Sequence, residues 1–168
     1  MYRGHDGRFY DIEDHPPTRN GIDGPANPPT AYQTQFDSIT NINDTRNQTL
    51  GQAGDGTTLG NNMDAVGVTR PPNSDAHHII AGNSTNTAAV RARQLLDEAG
   101  VDVNEAANGV YLPTNRHFPD EVAPNHKRVH TNRYYEAIVD RLNDIDPGDR
   151  REEIRKIANE LANNLFVW

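Results

Sequence analysis

The chain contains no cysteine among its 168 residues. Disulfides and thiolate metal sites are therefore excluded, and any transition ion must be held by His, Asp, Glu or Asn. Apolar residues are also scarce, at 34% of the chain, and the mean hydropathy is -0.85. Both values are low for a chain that buries a full-length core, so part of it is expected to be irregular or wrapped over the surface. No stretch approaches the ~18 consecutive apolar residues of a membrane span. The N-terminal MYRGHDGRFYDIED lacks the apolar centre of a signal peptide, so neither a span nor a signal is expected.

Positive charge is in deficit too. Sixteen Lys and Arg against 24 Asp and Glu leave a formal net charge of -8, which on its face argues against a nucleic-acid binder, because phosphate contacts come mainly from Lys and Arg. The imbalance is uneven along the chain. Residues 1–75 carry 5 basic and 10 acidic groups, 76–145 carry 7 and 9, and 146–168 carry 4 and 5. Between 113 and 135, Arg116, Lys127, Arg128 and Arg133 face only Asp120 and Glu121, a local positive excess.

The length suits one domain. Residues 1–73 are crowded with Gly, Pro, Asn, Thr and Asp, as in HPPTRNGIDGPANPP and NQTLGQAGDGTTLGNN, and show neither helical nor strand periodicity. They are expected to form an irregular, extended arm or linker with short ordered pieces, such as AYQTQFDSI around Phe36. A folded domain is expected over 74–168. In it HHIIAG reads as a short strand ended by Gly82. Thr87 is placed to cap a helix with Ala88, Ala92, Leu95, Leu96 and Ala99 on one stripe, stopped by Gly100. GVYLP reads as a second strand closed by Pro113. A helix follows from Asn125 or Thr131 to about Ile145, and a last one after Asp146-Pro147 buries Ile154, Ile157, Ala158 and Leu161. The expected class is α+β.

Five of the seven histidines fall between 77 and 130. His77 and His78 are adjacent, and adjacent strand residues point to opposite sides, so the two can serve one site only where the strand ends or bulges. Two partly exposed imidazoles without a role are the plain alternative. His126 and His130 lie four apart; if the helix includes HKRVH, both rings leave one face a turn apart, a spacing that chelates one ion. Otherwise they are surface histidines at a helix start, with His126 in the loop. His117 reads as a loop residue, and His5 and His15 lie in the arm.

Taken together, AHH at 76–78, LLDEAGVDVNEAANGVYLP at 95–113, and H-x-x-x-H at 126–130 followed by the tyrosine pair 134–135 resemble the AHH family of His-Me finger nucleases. The resemblance covers roughly residues 74–145. It implies a ββα-metal core with a helix inserted between its two strands and extra C-terminal helices. It also implies that His77, with His126 and His130, ligates a metal, that His78 activates the attacking water, and that Asn108 takes the place of the asparagine of the HNH motif. Imidazole suits a base working near neutral pH, its unperturbed pKa being about 6.5. Asn108 has both a donor and an acceptor, enough to set the His78 tautomer or tie the strands together; the competing role is an Asn-Gly turn.

Members of that family are commonly C-terminal toxin domains of bacterial polymorphic toxins. The resemblance therefore implies a divalent-metal-dependent endonuclease acting on DNA, a larger parent protein or secretion system that delivers it into a target cell's cytoplasm, and a cognate immunity protein. A ribonuclease of the same fold and a non-catalytic zinc-binding interaction module are the alternatives. Three imidazoles favour zinc or nickel, with magnesium or manganese as the other candidates. Lys127, Arg128 and Arg133, on or beside the ligand-bearing helix, are candidates for holding substrate phosphates, against the reading of a solvated helix face.

Overall fold

The computed structural model describes residues 30–114 and 123–168, together with the backbone of two short strands, β1 (Tyr2–Arg3) and β2 (Phe9–Tyr10), which pair antiparallel. His5, His15, Arg116, His117, Asp120 and Glu121 lie outside the described residues.

A second antiparallel pair forms the centre. It comprises β3 (Ser74–His78) and β4 (Gly109–Pro113), with His77 opposite Val110 and His78 opposite Gly109. β4 is the expected GVYLP. β3 starts three residues before the expected HHIIAG and stops at His78, because beyond it the Asn108 side chain replaces a strand partner. Its Oδ1 accepts from the Ile80 N–H at 2.9 Å and its Nδ2 donates to the Ile80 carbonyl at 3.1 Å. The backbone is thus satisfied where the strand ladder ends, and His77 and His78, its last two paired residues, point to opposite faces by ordinary strand alternation.

Alternation along the pair separates two apolar layers. Val110 and Leu112 point toward α2 (Thr87–Glu98), α3 (Asn132–Asn143) and α4 (Arg150–Ala162), in a cluster that includes Leu95, Leu96, Ile138, Leu142, Ile154 and Ile157. Ala76 and Tyr111 point the other way, toward Leu59 and Met63 of α1 (Gly56–Ala65). Local signals explain the helix bounds. Asn86, one residue before the expected Thr87, accepts from the amides of Ala88 and Ala89, and Gly100 takes a φ of +66° after the last turn of α2. Thr131 caps α3 through the Tyr134 N–H. α4 begins at Arg150, after the expected Asp146-Pro147. No helix among the described residues is long and apolar enough to cross a membrane.

Composition points to an irregular arm over 1–73, yet within it the structure places α1 and a set of turns packed on the sheet. The helix has only Leu59 and Met63 as large apolar side chains, four apart and both fully buried, too few for a periodic signal. Asp55 caps it by accepting from the Thr58 N–H. Gln35 covers the free edge of β4: its Oε1 accepts from the Tyr111 N–H at 2.8 Å, and its Nε2 donates to the Tyr111 carbonyl at 3.2 Å. Gly109 admits α1, since a Cβ there would lie 2.5 Å from Met63 Sδ.

Candidate metal centre

Three histidines from distant parts of the chain converge where β3 ends. The candidate ligand atoms of His77, His126 and His130 all lie within 4.8 Å of one another. His77 is fully buried because it points from β3 into the three-helix layer. His126 and His130 reach it without an α-helix between them. His126 opens a 3-10 turn, His126–Arg128, and His130 stands just before the Thr131 cap, so of the two expected helix starts the one at Thr131 is found and both histidines precede the helix. Buried Val129 anchors the turn in the core between the two rings.

Each ring has a protein partner on its outer nitrogen. The buried Tyr134 hydroxyl donates to the Ile79 carbonyl at 2.9 Å, and burial pushes its pKa well up, so its single proton is committed. His77 Nε2, 3.1 Å from the same hydroxyl, must then donate to it. The lone pair of His77 is left on Nδ1, which is buried and has no hydrogen-bond partner. Asp75 Oδ2 lies 3.5 Å from His126 Nδ1, and the Tyr135 hydroxyl 3.2 Å from His130 Nδ1. Adjacent tyrosines thus serve two different histidines.

With their outer nitrogens engaged, His126 and His130 face each other through Nε2 atoms 3.2 Å apart. Two lone pairs at that distance repel unless a proton or cation lies between them, and two nitrogens bound at 2.0–2.1 Å to a tetrahedral ion stand roughly 3.3 Å apart. Desolvation pushes all three imidazoles below the ordinary histidine pKa, furthest for buried His77, where the neighbouring His126 and His130 add to the effect; His130 shares the shift although the residue as a whole is exposed. Neutral imidazoles with inward lone pairs are what a divalent ion requires. The orphaned Nδ1 and the donor set fit a metal.

His78 takes the other direction. It is half-buried, its pKa is lowered by desolvation, and it lines a cleft shared with Gly54, Gly56, Gly82, His126, His130 and Tyr135. The sides of this cleft are braced by Arg93, which donates to the carbonyls of Ala81 and Ser84. His78 Nε2 lies 3.0 Å from Asn104 Oδ1. Of the roles expected for Asn108, the hydrogen bonds match the tying of backbone segments and not the setting of the His78 tautomer: it bonds Ile80 and the Val103 carbonyl, joining the end of β3 to the loop before β4.

Residues 58–165 match the family model of AHH, a nuclease family of the HNH/ENDO VII superfamily with conserved AHH. The chain belongs to the AHH nuclease family. Neither the curated proteins nor the solved structures gave a match. The family match begins inside α1, which agrees with the packing of that helix on the sheet. Membership makes the chain a hydrolytic nuclease with nucleic acid as substrate, and the conserved triplet corresponds to Ala76, His77 and His78, where β3 ends.

Lys127, Arg128 and Arg133 are exposed around the 3-10 turn and the first turn of α3. None of them lines the clefts beside the triad. The second cleft is lined by Asp55, Thr57, Asn61, Arg70, Asp75 and His126, among others. Asp75 and Asn104 were not legible as partners of the histidines, although Asp75 adjoins the AHH triplet and Asn104 stands four residues before Asn108.

Proposed function

We propose that this AHH-family nuclease is a metal-dependent endonuclease that hydrolyses phosphodiester bonds in DNA from a ββα-metal core, and that it acts as an antibacterial toxin domain. The observation that carries the reading is the asymmetry at the end of β3. His77 joins a three-imidazole cluster, and His78 faces a cleft with one ring nitrogen uncommitted among the described residues. A purely structural zinc site needs a closed ligand set and no neighbouring base.

His77, His126 and His130 would hold one divalent ion, with zinc or nickel suited to imidazole ligands. When bound, that ion supplies electrostatic stabilisation of the charge building on the phosphate and the leaving 3′ oxygen. His78 accepts the proton of the attacking water, and its lowered pKa keeps it neutral and able to do so near pH 7. Tyr134, Asp75 and Tyr135 keep the three other rings oriented, so that His78 is the imidazole left for proton transfer. Lys127, Arg128 and Arg133 hold phosphates flanking the scissile bond. Delivery depends on a larger parent protein or secretion system, action takes place in the target cell's cytoplasm, and an immunity protein neutralises the producer's own copy.

The test is incubation of the purified chain with plasmid and with total RNA, in zinc, nickel, magnesium or manganese, beside a chelator control. Metal-dependent nicking of plasmid is expected. Cleavage of RNA alone would reassign the substrate, and cleavage of neither polymer with any ion would leave a non-catalytic metal module.

A further inference from the structure

No motif singles out Asn104, yet its side chain is the most fully engaged amide around the site. It is fully buried in the loop before β4. Its Nδ2 donates to the carbonyls of Ala53 at 3.0 Å and Gln52 at 3.4 Å, and its Oδ1 accepts from the Asp55 N–H at 2.9 Å. These three contacts determine the amide's orientation, because a flipped amide would set its oxygen against two carbonyls and its NH2 against a backbone N–H. The oxygen is therefore what faces His78 Nε2 at 3.0 Å. An amide oxygen only accepts, so His78 must carry its proton on Nε2.

We propose that Asn104 is the positioning residue that holds His78 as the Nε2–H tautomer, leaving Nδ1 as the basic atom, and that residues 52–55 are the brace that keeps Asn104 so oriented. The proposal rests on the reading of His78 as the base. It gives the segment before α1 a part in the chemistry. The brace is itself held in place where Gly54 and Gly82 meet, a crossing so close that a Cβ on either glycine would lie 2.7 Å from the other's Cα. Without Asn104 the imidazole of His78 is free to place its proton on either nitrogen and to turn, which lowers the fraction of molecules with a base in place.

The experiment uses the full chain with 15N-labelled histidine. Long-range proton–nitrogen NMR at neutral pH reads which ring nitrogen of His78 is protonated, and plasmid-cleavage kinetics and zinc titration run in parallel. The parent is expected to show His78 Nε2–H. Asn104→Ala should lose that single tautomer and lower kcat about 10–100-fold, as removal of outer-shell partners commonly does, with KM and zinc affinity within about twofold of the parent. Asn104→Asp keeps an acceptor for His78 but sets its second oxygen against the Ala53 and Gln52 carbonyls, so it removes the brace alone and should also lower kcat below the parent's.

A parent His78 protonated on Nδ1, or an Asn104→Ala protein with an unchanged Nε2–H signal and kcat, overturns the proposal. If Asn104→Ala does not fold, the parent spectrum decides, since it must show Nε2–H. The tautomer is read without any cleavage. A normal Asn104-dependent tautomer beside a fully active His78→Ala would therefore sink the base assignment alone.

Discussion

Tyr134→Phe isolates one hydroxyl. The ring keeps its edge contacts with Phe166 at 5.8 Å and Trp168 at 5.7 Å between centroids, so packing is retained. Two buried groups lose their partner, the Ile79 carbonyl and the His77 Nε2–H. Each unsatisfied group costs about 1–3 kcal/mol, offset in part because the hydroxyl's own desolvation disappears. A net loss of about 2 kcal/mol is expected for the metal-free protein, or roughly 4–8 °C in Tm at this chain length. The effect on the ion is separate. With Nε2–H unpaired, the His77 proton can move to Nδ1 and block the lone pair, so zinc affinity should fall about 10–100-fold, equivalent to about 1.4–2.7 kcal/mol. Calorimetric zinc titration and thermal unfolding with and without chelator measure the two effects. Tyr135→Phe is the control, because His130 is exposed and water can replace that hydroxyl; its affinity should change less than tenfold. A Tyr134→Phe protein that is less stable but binds zinc as tightly as the parent would refute the tautomer argument and leave Tyr134 as a core hydrogen bond.

His77→Ala, His126→Ala and His130→Ala should each lower zinc occupancy in calorimetry, whereas His78→Ala should bind zinc normally and cut plasmid roughly 10²–10⁴-fold more slowly; normal cleavage by His78→Ala removes it from the chemistry. Met63→Ala empties a fully buried position between α1 and Tyr111 and should cost about 2–5 kcal/mol by denaturant unfolding, so a stable chain beginning at Ser74 would contradict the place given to α1 in the core. Gly82→Ala forces the loop at 52–55 away from its neighbour and should slow cleavage with zinc binding retained; unchanged kinetics would show that the crossing is not needed. Replacing Lys127, Arg128 and Arg133 together by Ala should weaken DNA binding and reduce the slope of log K against log salt by about 0.9 for each lost phosphate contact, and an unchanged slope would place the phosphates elsewhere.

Much of the molecule was legible where the signal is local. GVYLP is β4 to the residue, the apolar stripe of α4 is the expected one, that of α2 keeps Ala92, Leu95 and Leu96 but buries Ala89 and leaves Ala88 and Ala99 at its margin, and the AHH triplet with H-x-x-x-H named the three histidines that converge. Two kinds of feature were not. Residues 30–73 join the core through few, widely spaced side chains, with Leu59 and Met63 on one short helix and Gln35 bonded to a strand residue 76 positions away, so no window of sequence carries a period. The hydrogen-bond partners of the histidines were hidden for the same reason. Tyr134 meets His77 across 57 positions and Asn104 meets His78 across 26, and a tyrosine or asparagine looks the same in sequence whether it faces water, a carbonyl or an imidazole. Composition and spacing determined which residue types could bind an ion and roughly which elements carry them. Only the tertiary structure decided which nitrogen of His77 and of His78 is free, because that depends on the single proton of Tyr134 and the orientation of the Asn104 amide, both set by backbone groups brought close through folding.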